Sequence, residues 1–75
     1  MNVEVKLFAT FRNGRFKKKN IEIDKKDTKV RDLLNELGIK EEEVALIIVN
    51  GIHSNVDRKL EEGDTLALFP PVAGG

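Results

Sequence analysis

Hydrophobic and polar residues alternate near the start of the chain. Residues 3–8 follow a period of two, which predicts a strand that buries positions 3, 5 and 7 and turns Glu4, Lys6 and Phe8 outward. Residues 21–23 alternate again and predict the returning strand, and Asn-Gly at positions 13 and 14 marks a turn between them. This part of the chain is therefore predicted to form a β-hairpin.

Helical spacing replaces this alternation in residues 28–38. Apolar side chains fall on one stripe there, formed by Val30, Leu33, Leu34 and Leu37. We expect Thr28 to cap the start of this helix, with Asp27 as the alternative. Gly38 is expected to end the helix in a left-handed conformation, with Ile39 closing the hydrophobic contact of that cap.

Short apolar runs return in the second half of the chain. Leu46–Val49 is followed by Asn50-Gly51, a strong signal for a tight hairpin turn, and residues 52–53 are expected to start a short partner strand. A further turn at residues 62–64 precedes the last predicted strand, Thr65–Phe69.

The order of predicted elements is strand, strand, helix, strand, short strand, strand. One helix must then cover one face of a mixed sheet, which is an α+β architecture. The simplest packing lays the helix across the sheet between two hairpins, as in the ubiquitin-like β-grasp. With 75 residues and 8.4 kDa, the chain is expected to form a single domain over residues 1–75, with 70–75 as an extended C-terminal tail.

Composition excludes several classes of function. The chain has 13 basic and 13 acidic residues, so no strong overall charge attracts nucleic acid or a membrane surface. It has no cysteine and only His53 as a histidine, so we expect no metal site and no thiol nucleophile. No apolar run reaches the length of a membrane span. We therefore expect a soluble cytoplasmic protein that binds neither nucleic acid nor membrane and is not itself an enzyme.

The last six residues suggest a specific chemistry. They are Pro70, Pro71, Val72, Ala73, Gly74 and Gly75. Two prolines end a strand because they have no N–H to donate, and six extended residues span about 20 Å. Gly-Gly fits a channel too narrow for other residues, but a carboxylate is a poor electrophile and needs activation, for instance as an acyl adenylate. The alternative is that the two glycines are simply a frayed end.

The chain resembles the MoaD/ThiS family of ubiquitin-like sulfur carriers, and within it the branch of the small subunit of molybdopterin synthase. The resemblance covers nearly the whole chain. It rests on Val5-Lys6-Leu7-Phe8-Ala9 with Arg12, on Val49-Asn50-Gly51, on Glu62-Gly63-Asp64, and above all on the ending Leu68-Phe69-Pro70-Pro71-Val72-Ala73-Gly74-Gly75. The thiamine branch shares the Gly-Gly ending but usually lacks the two prolines.

The resemblance implies a reaction cycle at Gly75. A partner adenylating (E1-like) enzyme that uses ATP and magnesium would activate the carboxylate, and a sulfur donor protein would convert it to a thiocarboxylate. Residues 70–74 would then enter the large subunit of molybdopterin synthase, which holds the catalytic groups. The segment from Arg12 to Lys19 departs from the family pattern, so a tungsten-pterin pathway, thiamine synthesis or another sulfur route stays open, as does a role as a ubiquitin-like protein modifier.

Two aromatic residues are candidates for partner docking. Phe8 and Phe69 both fall on the outward side of their strands, and the first and last strands of a β-grasp are neighbours. We expect the two rings to form a patch beside the tail that contacts partner enzymes. The alternative is two scattered surface aromatics, or a shift in register that buries one of them.

Charge is divided unevenly along the chain. Residues 1–29 carry nine basic and four acidic side chains, and residues 30–75 carry four basic and nine acidic ones. The basic residues of the first hairpin, Arg12, Arg15, Lys17, Lys18 and Lys19, can contact phosphate or an acidic partner, and a small binding module that uses them is the hypothesis from another class. The simpler interpretation is a solvated loop whose lysines discourage edge-to-edge sheet pairing. His53 and the glutamates at 41–43 and 61–62 are expected to be ordinary surface residues.

Overall fold

A mixed sheet and one α-helix make up the part of the protein that the computed structural model describes, residues 1–71 of 75. The elements are β1 (Asn2–Leu7), β2 (Lys18–Glu22), α1 (Val30–Leu37), β3 (Leu46–Val49), β4 (Ile52–Ser54) and β5 (Thr65–Phe69), with 3₁₀-helical turns at Ala9–Arg12 and Glu41–Glu43. Within the described residues no helix is long and apolar enough to span a membrane.

The five strands lie in the order β2-β1-β5-β3-β4. β1 and β5 are parallel neighbours, with Leu7 opposite Leu68, and the other neighbouring strands pair antiparallel. The first and last strands therefore meet in the middle of the sheet and end side by side. This is the β-grasp topology that the order of elements predicted.

The core lies between one face of this sheet and α1. In β1 the buried residues are those that the period-two pattern assigned to the inner face, Val3, Val5 and Leu7. Ile47 and Val49 of β3 and Leu66 and Leu68 of β5 are buried with them. Val30, Leu33 and Leu34 of α1 join them, while Leu37 is half-buried against the cluster. Burial of each large apolar side chain contributes roughly 1.5–3 kcal/mol, which holds the short helix on the sheet.

The start of α1 differs from its prediction. Thr28 is buried, and its hydroxyl donates to the Lys25 carbonyl at 3.0 Å instead of capping the helix. α1 begins two residues later, and Asp32 accepts a hydrogen bond from the backbone N–H of Lys29 at 2.9 Å. Asp27, the alternative cap, has a left-handed backbone with φ of 57° in the preceding turn.

The predicted helix end and tight turn are confirmed. Gly38 has φ of 72°, and the backbone N–H of buried Ile39 donates to the Leu34 carbonyl at 2.9 Å. Asn50 and Gly51 both have positive φ, 52° and 80°, as a two-residue hairpin turn between β3 and β4 requires.

The second strand of the first hairpin is longer than the sequence pattern predicted. β2 begins at Lys18, three residues before the predicted start, so Lys18 and Lys19 lie in an edge strand and not in the loop. Phe11 in the connecting turn is buried and extends the core. Arg15 fastens the same connection to α1: Nε donates to the Leu37 carbonyl at 2.9 Å and Nη2 to the Gly38 carbonyl at 3.2 Å.

Candidate functional site

The C-terminal tail starts from a fixed point in the sheet. Phe69 is the last residue of β5, and its carbonyl accepts a hydrogen bond from the backbone N–H of Ala45 at 2.9 Å. On the other side of β5, the backbone N–H of Phe8 donates to the Leu68 carbonyl at 3.3 Å. Strand neighbours on both sides thus hold the backbone up to the residue before Pro70.

Phe8 and Phe69 are stacked against each other at this point. Their ring centroids lie 4.2 Å apart with an interplanar angle of 13°. The parallel register explains the contact, because Leu7 pairs with Leu68 and a phenylalanine follows each of them in the chain. Both residues are half-buried, so each ring covers part of the other's apolar surface. The structure brings the two predicted docking residues together, and their role in docking stays a prediction.

An apolar groove runs along this aromatic pair. It has a volume of ≈ 420 Å³ and we name it the tail-base groove. Its walls are formed by Phe8, Ala9, Thr10, Leu46, Phe69, Pro70 and Pro71. Pro70 is half-buried and Pro71 is exposed, so the chain emerges into solvent within two residues of the sheet. Val72, Ala73, Gly74 and Gly75, which were predicted to insert into a partner and carry the chemistry, lie outside the described residues.

Ala9, which lines the groove, has an unusual backbone conformation. Its φ is 53°, a left-handed conformation that costs an L-residue roughly 1–2 kcal/mol. This residue turns the chain from the end of β1 into the following 3₁₀-helical turn. Strain of this kind persists where the surroundings impose it, and it is frequent at functional sites.

A cationic side chain borders the groove at Phe8. The Arg12 guanidinium lies 5.4 Å from the centroid of the Phe8 ring. Arg12 Nε also donates to the Leu7 carbonyl at 2.8 Å, which fixes the side chain beside the end of β1. Arg12 therefore adds a positive charge beside Phe8, one of the residues that line the groove.

The shifted pKa values belong to surface groups that lie outside this site. A hydrogen bond from Lys59 lowers the pKa of Asp27 and correspondingly raises the pKa of Lys59. A hydrogen bond to Glu41 raises the pKa of Arg31. Asp27 lies in the turn before α1, whereas Arg31 lies in the first turn of α1 and Glu41 in the 3₁₀-helical turn that follows the helix. Within residues 1–71 no group of three or more histidine, cysteine, aspartate or glutamate side chains could hold a metal ion.

Comparison with known families assigns this arrangement. The model of the ThiS family matches residues 5–75, nearly the full length of the chain. The chain belongs to the ThiS family. No curated protein gave a significant match to this ThiS-family protein.

Solved structures support the same assignment. The putative molybdopterin converting factor subunit 1 from Pyrococcus furiosus matches the ThiS-family protein with a TM-score of 0.76 and 32% identity, over 96% of this chain and 99% of the other. SAMP1 from Haloferax volcanii, a small archaeal modifier protein, matches with a TM-score of 0.74 and 28% identity over 100% of both chains.

A third match is a complex. It contains subunits 1 and 2 of the molybdopterin-converting factor from Helicobacter pylori and matches with a TM-score of 0.65 and 28% identity, over 100% of both chains. The predicted ubiquitin-like β-grasp is confirmed, and the ThiS-family protein has the fold of the small sulfur carriers.

Some parts of the site were missed at the level of sequence. Leu46 and Thr10 line the tail-base groove, and only the three-dimensional neighbourhood of β3 and the 3₁₀-helical turn reveals this. The left-handed backbone of Ala9 has no signal in the sequence, because alanine is not a residue type that favours positive φ. By contrast, Phe8 and Phe69 could be found from the period-two count alone.

Proposed function

We propose that this protein is a sulfur carrier for the synthesis of molybdopterin, the organic part of the molybdenum or tungsten cofactor. The carboxylate of Gly75 is adenylated and then converted to a thiocarboxylate, which donates its sulfur to a pterin precursor. Membership of the ThiS family and the likeness to molybdopterin converting factor subunits from two organisms support this proposal.

The observation that carries the proposal is the position of the tail. The last strand runs directly into Pro70-Pro71 at a base that is hydrogen-bonded on both sides and faced by an aromatic pair. A rigid base with a narrow Gly-Gly end suits insertion of the tail into an active site on another protein. The catalytic groups then belong to the partners, and this chain is their cosubstrate.

The chemistry needs three partners. An E1-like enzyme with ATP and magnesium lets a carboxylate oxygen of Gly75 attack the α-phosphorus of ATP, which releases pyrophosphate. A donor protein then delivers sulfur at the oxidation level of sulfide, which attacks the acyl carbon, so that AMP leaves and the thiocarboxylate remains. The large subunit of molybdopterin synthase receives the tail, as the complex of the two Helicobacter pylori subunits suggests. This ATP-dependent cycle would take place in the cytoplasm.

Docking onto these partners is assigned to the tail-base groove. Phe8 and Phe69 offer a half-buried apolar surface beside Pro70 and Pro71. Aromatic residues in such positions often carry much of the free energy of binding. A partner that covers the groove also fixes the direction in which the tail enters its channel.

Intact mass spectrometry tests the carrier function. The protein is incubated with an extract of its host, ATP and a sulfur source, and fragmentation locates any modification. We expect a mass shift that matches replacement of one oxygen by sulfur at Gly75. An unmodified Gly75, in an extract that thiocarboxylates a known carrier added as a control, would contradict the proposal.

A second candidate function is protein modification. The observation that favours it is the match to SAMP1 from Haloferax volcanii. In that case the activated Gly75 carbonyl forms an isopeptide bond with a lysine of another protein. The same extract experiment separates the two functions, since conjugates of higher mass that contain a Gly75–lysine linkage would appear in place of the thiocarboxylate.

A further inference from the structure

Four cationic side chains gather around Phe8, next to the tail-base groove. They line a small pocket of ≈ 220 Å³ together with the Phe8 ring: Lys6, Arg12, Lys17 and Lys18. We name these four residues the basic surface. Phe8 lines both this pocket and the tail-base groove, so the two adjoin at this residue, near the start of the tail.

The basic surface brings like charges together. Lys6 and Lys18 are direct cross-strand partners in β1 and β2, an arrangement that destabilises a sheet. Glu4 lies between them, with its carboxylate oxygens 3.9 Å from Lys6 Nζ and 3.7 Å from Lys18 Nζ. This one carboxylate offsets one of the four positive charges, and the surface keeps a clear positive excess.

The side chain of Arg12 is fixed in position by the fold while most of its N–H donors are not used to hold it there. Its Nε donates to the Leu7 carbonyl at 2.8 Å, and its guanidinium lies over the Phe8 ring. A guanidinium has five N–H donors, and among residues 1–71 a single one of them holds the side chain in place. Arg15 differs, because it donates to three backbone carbonyls, including that of Phe11 at 3.3 Å, and so serves the fold.

We propose that the basic surface binds an acidic segment of the adenylating enzyme and so aligns the tail for activation. The inference rests on the proposed function. Carboxylates match the fork of Arg12 and the flanking lysines. Since the basic surface adjoins the tail-base groove at Phe8, a partner that covers the groove also comes close to the cations. Complementary charge mainly raises the rate of association.

Nucleic acid fits this surface less well. Proteins that bind single strands present aromatic faces on which bases stack. Phe8 supplies the aromatic ring of this pocket, and that ring is already stacked on Phe69 and in contact with Arg12. The charge of the whole chain is zero, which also weakens attraction to a polyanion.

The test compares initial rates of Gly75 thiocarboxylation in the host extract for three proteins. Arg12→Ala/Lys17→Ala removes two charges from the basic surface, and Lys25→Ala/Lys26→Ala removes two charges near the opposite ends of β1 and β5. We expect the first variant to react about tenfold more slowly than the wild type at low salt, and the second within about twofold of the wild type. In ~1 M salt, where screening is strong, the difference should largely vanish.

A charge-preserving variant separates loss of charge from loss of folding. Arg12→Lys/Lys17→Arg keeps both charges and, because charge acts mainly on the rate of association and not on the geometry of the bound pair, should restore most of the rate. Circular dichroism shows whether each variant is folded. Equal rates for the wild type and Arg12→Ala/Lys17→Ala would overturn the inference while leaving the carrier function intact. A wild type that is never modified would instead contradict the carrier function itself.

A second measurement tests whether the basic surface binds single-stranded nucleic acid instead of an acidic segment. Amide chemical shifts of the labelled protein are followed during addition of an oligothymidine, and separately of a synthetic peptide rich in Asp, Glu and Phe. We expect the peptide to shift the amides of Arg12, Lys17 and Lys18 more strongly than the oligothymidine does. The reverse order would overturn the inference in favour of a nucleic-acid interface.

Discussion

Phe69 lies at the junction of the sheet and the tail, and its ring both packs within the domain and forms part of the surface. It stacks on Phe8 with centroids 4.2 Å apart, and both rings also line the tail-base groove. Such a pair contributes about 0.5–1.5 kcal/mol to stability beyond the area it buries. The proposed role of Phe69 in docking a partner is tested by removing its ring.

Phe69→Ala is expected to weaken binding to the adenylating enzyme at least about tenfold, or about 1.4 kcal/mol. The protein should stay folded, because the core residues beneath are unchanged. Isothermal titration calorimetry gives the affinity. Ile52→Ala is the matched control, since Ile52 is 62% exposed on the edge strand β4, away from the tail. Unchanged affinity for Phe69→Ala would show that the aromatic pair serves the fold alone.

Arg15 is a charged residue that stabilises the fold, in contrast to Arg12, to which we assign a role in binding. Its guanidinium donates to the carbonyls of Leu37 and Gly38 at the end of α1, where backbone acceptors lack helical partners. We expect Arg15→Ala to lower the free energy of unfolding by about 1–2 kcal/mol. Urea denaturation measures this change. Arg12→Ala, which loses one such hydrogen bond, should cost less; the reverse order would contradict the assignment of Arg15 to structure and Arg12 to binding.

Single residues were predictable from sequence only where periodicity governs them. The alternation in β1 and β5 placed Phe8 and Phe69 on the same side of neighbouring strands, and their contact followed from the topology. Arg12 and Arg15 are three positions apart in one basic run, and their different roles depend on which carbonyls lie within reach. No rule of local sequence contains that information.

At the scale of elements, α1 is a short helix that depends on its ends. It has eight residues, fewer than an isolated helix needs for stability in water. Gly38 ends it with φ of 72°, and an added Cβ there would meet nothing within 4 Å. Any cost of a side chain at this position therefore comes from the backbone conformation alone.

Gly38→Ala is expected to lower the free energy of unfolding by about 1 kcal/mol. Urea denaturation at neutral pH measures it. Asn35→Ala, at an exposed position within the same helix, is the control and should be neutral or slightly stabilising because alanine favours helix. A neutral Gly38→Ala variant would mean that the chain can end α1 by another route.

The other end of α1 should depend on pH through Asp32. The backbone N–H of Lys29 donates to this carboxylate and lowers its pKa, and Lys25 adds a smaller effect in the same direction. Since the folded pKa is below the unfolded value of about 3.9, the ionised cap stabilises the protein above that value and this contribution is lost as pH falls through the folded pKa.

Asp32→Asn tests this dependence. The urea midpoint of the variant should be below that of the wild type at neutral pH, and the two should converge as the pH drops below about 4. Asn35→Ala, which changes an exposed residue of the same helix without removing a charge, should differ from the wild type by the same amount at both ends of this pH range. A gap between the wild type and Asp32→Asn that stays constant at low pH would contradict the role of the charge.

The boundaries of elements were harder to predict than their existence. The stripe of apolar residues located α1, and the Asn50-Gly51 turn located the second hairpin. The cap was misassigned because Thr28 has a good capping side chain but is buried, with its hydroxyl satisfied by Lys25. The start of β2 was missed because Lys18 and Lys19 lie on an edge strand, where pairing with β1 and not hydrophobicity decides the conformation.

For the whole molecule, topology places the start of the tail. Because β1 and β5 run parallel in the middle of the sheet, the end of the last strand lies beside Phe8 and the first 3₁₀-helical turn. The aromatic pair and the cations of the first hairpin are thereby collected where the tail begins, at Pro70. The motif at the end of the chain predicts the chemistry that we propose, and the sheet topology explains why the predicted docking residues lie together at the start of the tail.

Removal of the two terminal glycines separates folding from chemistry. The buried hydrophobic residues of the described chain run from Val3 to Leu68, so deletion of Gly74 and Gly75 should leave the urea midpoint unchanged while thiocarboxylation disappears.

Gly74→Ala/Gly75→Ala keeps the length of the tail but adds two Cβ atoms. We expect its rate of thiocarboxylation to fall at least about tenfold, because a small displacement of the reacting carboxylate in a narrow channel greatly slows the reaction. Intact mass spectrometry follows both variants. Normal thiocarboxylation of the alanine variant would mean that tail length alone matters, whereas thiocarboxylation of the deletion variant would show that Gly75 is not the acceptor.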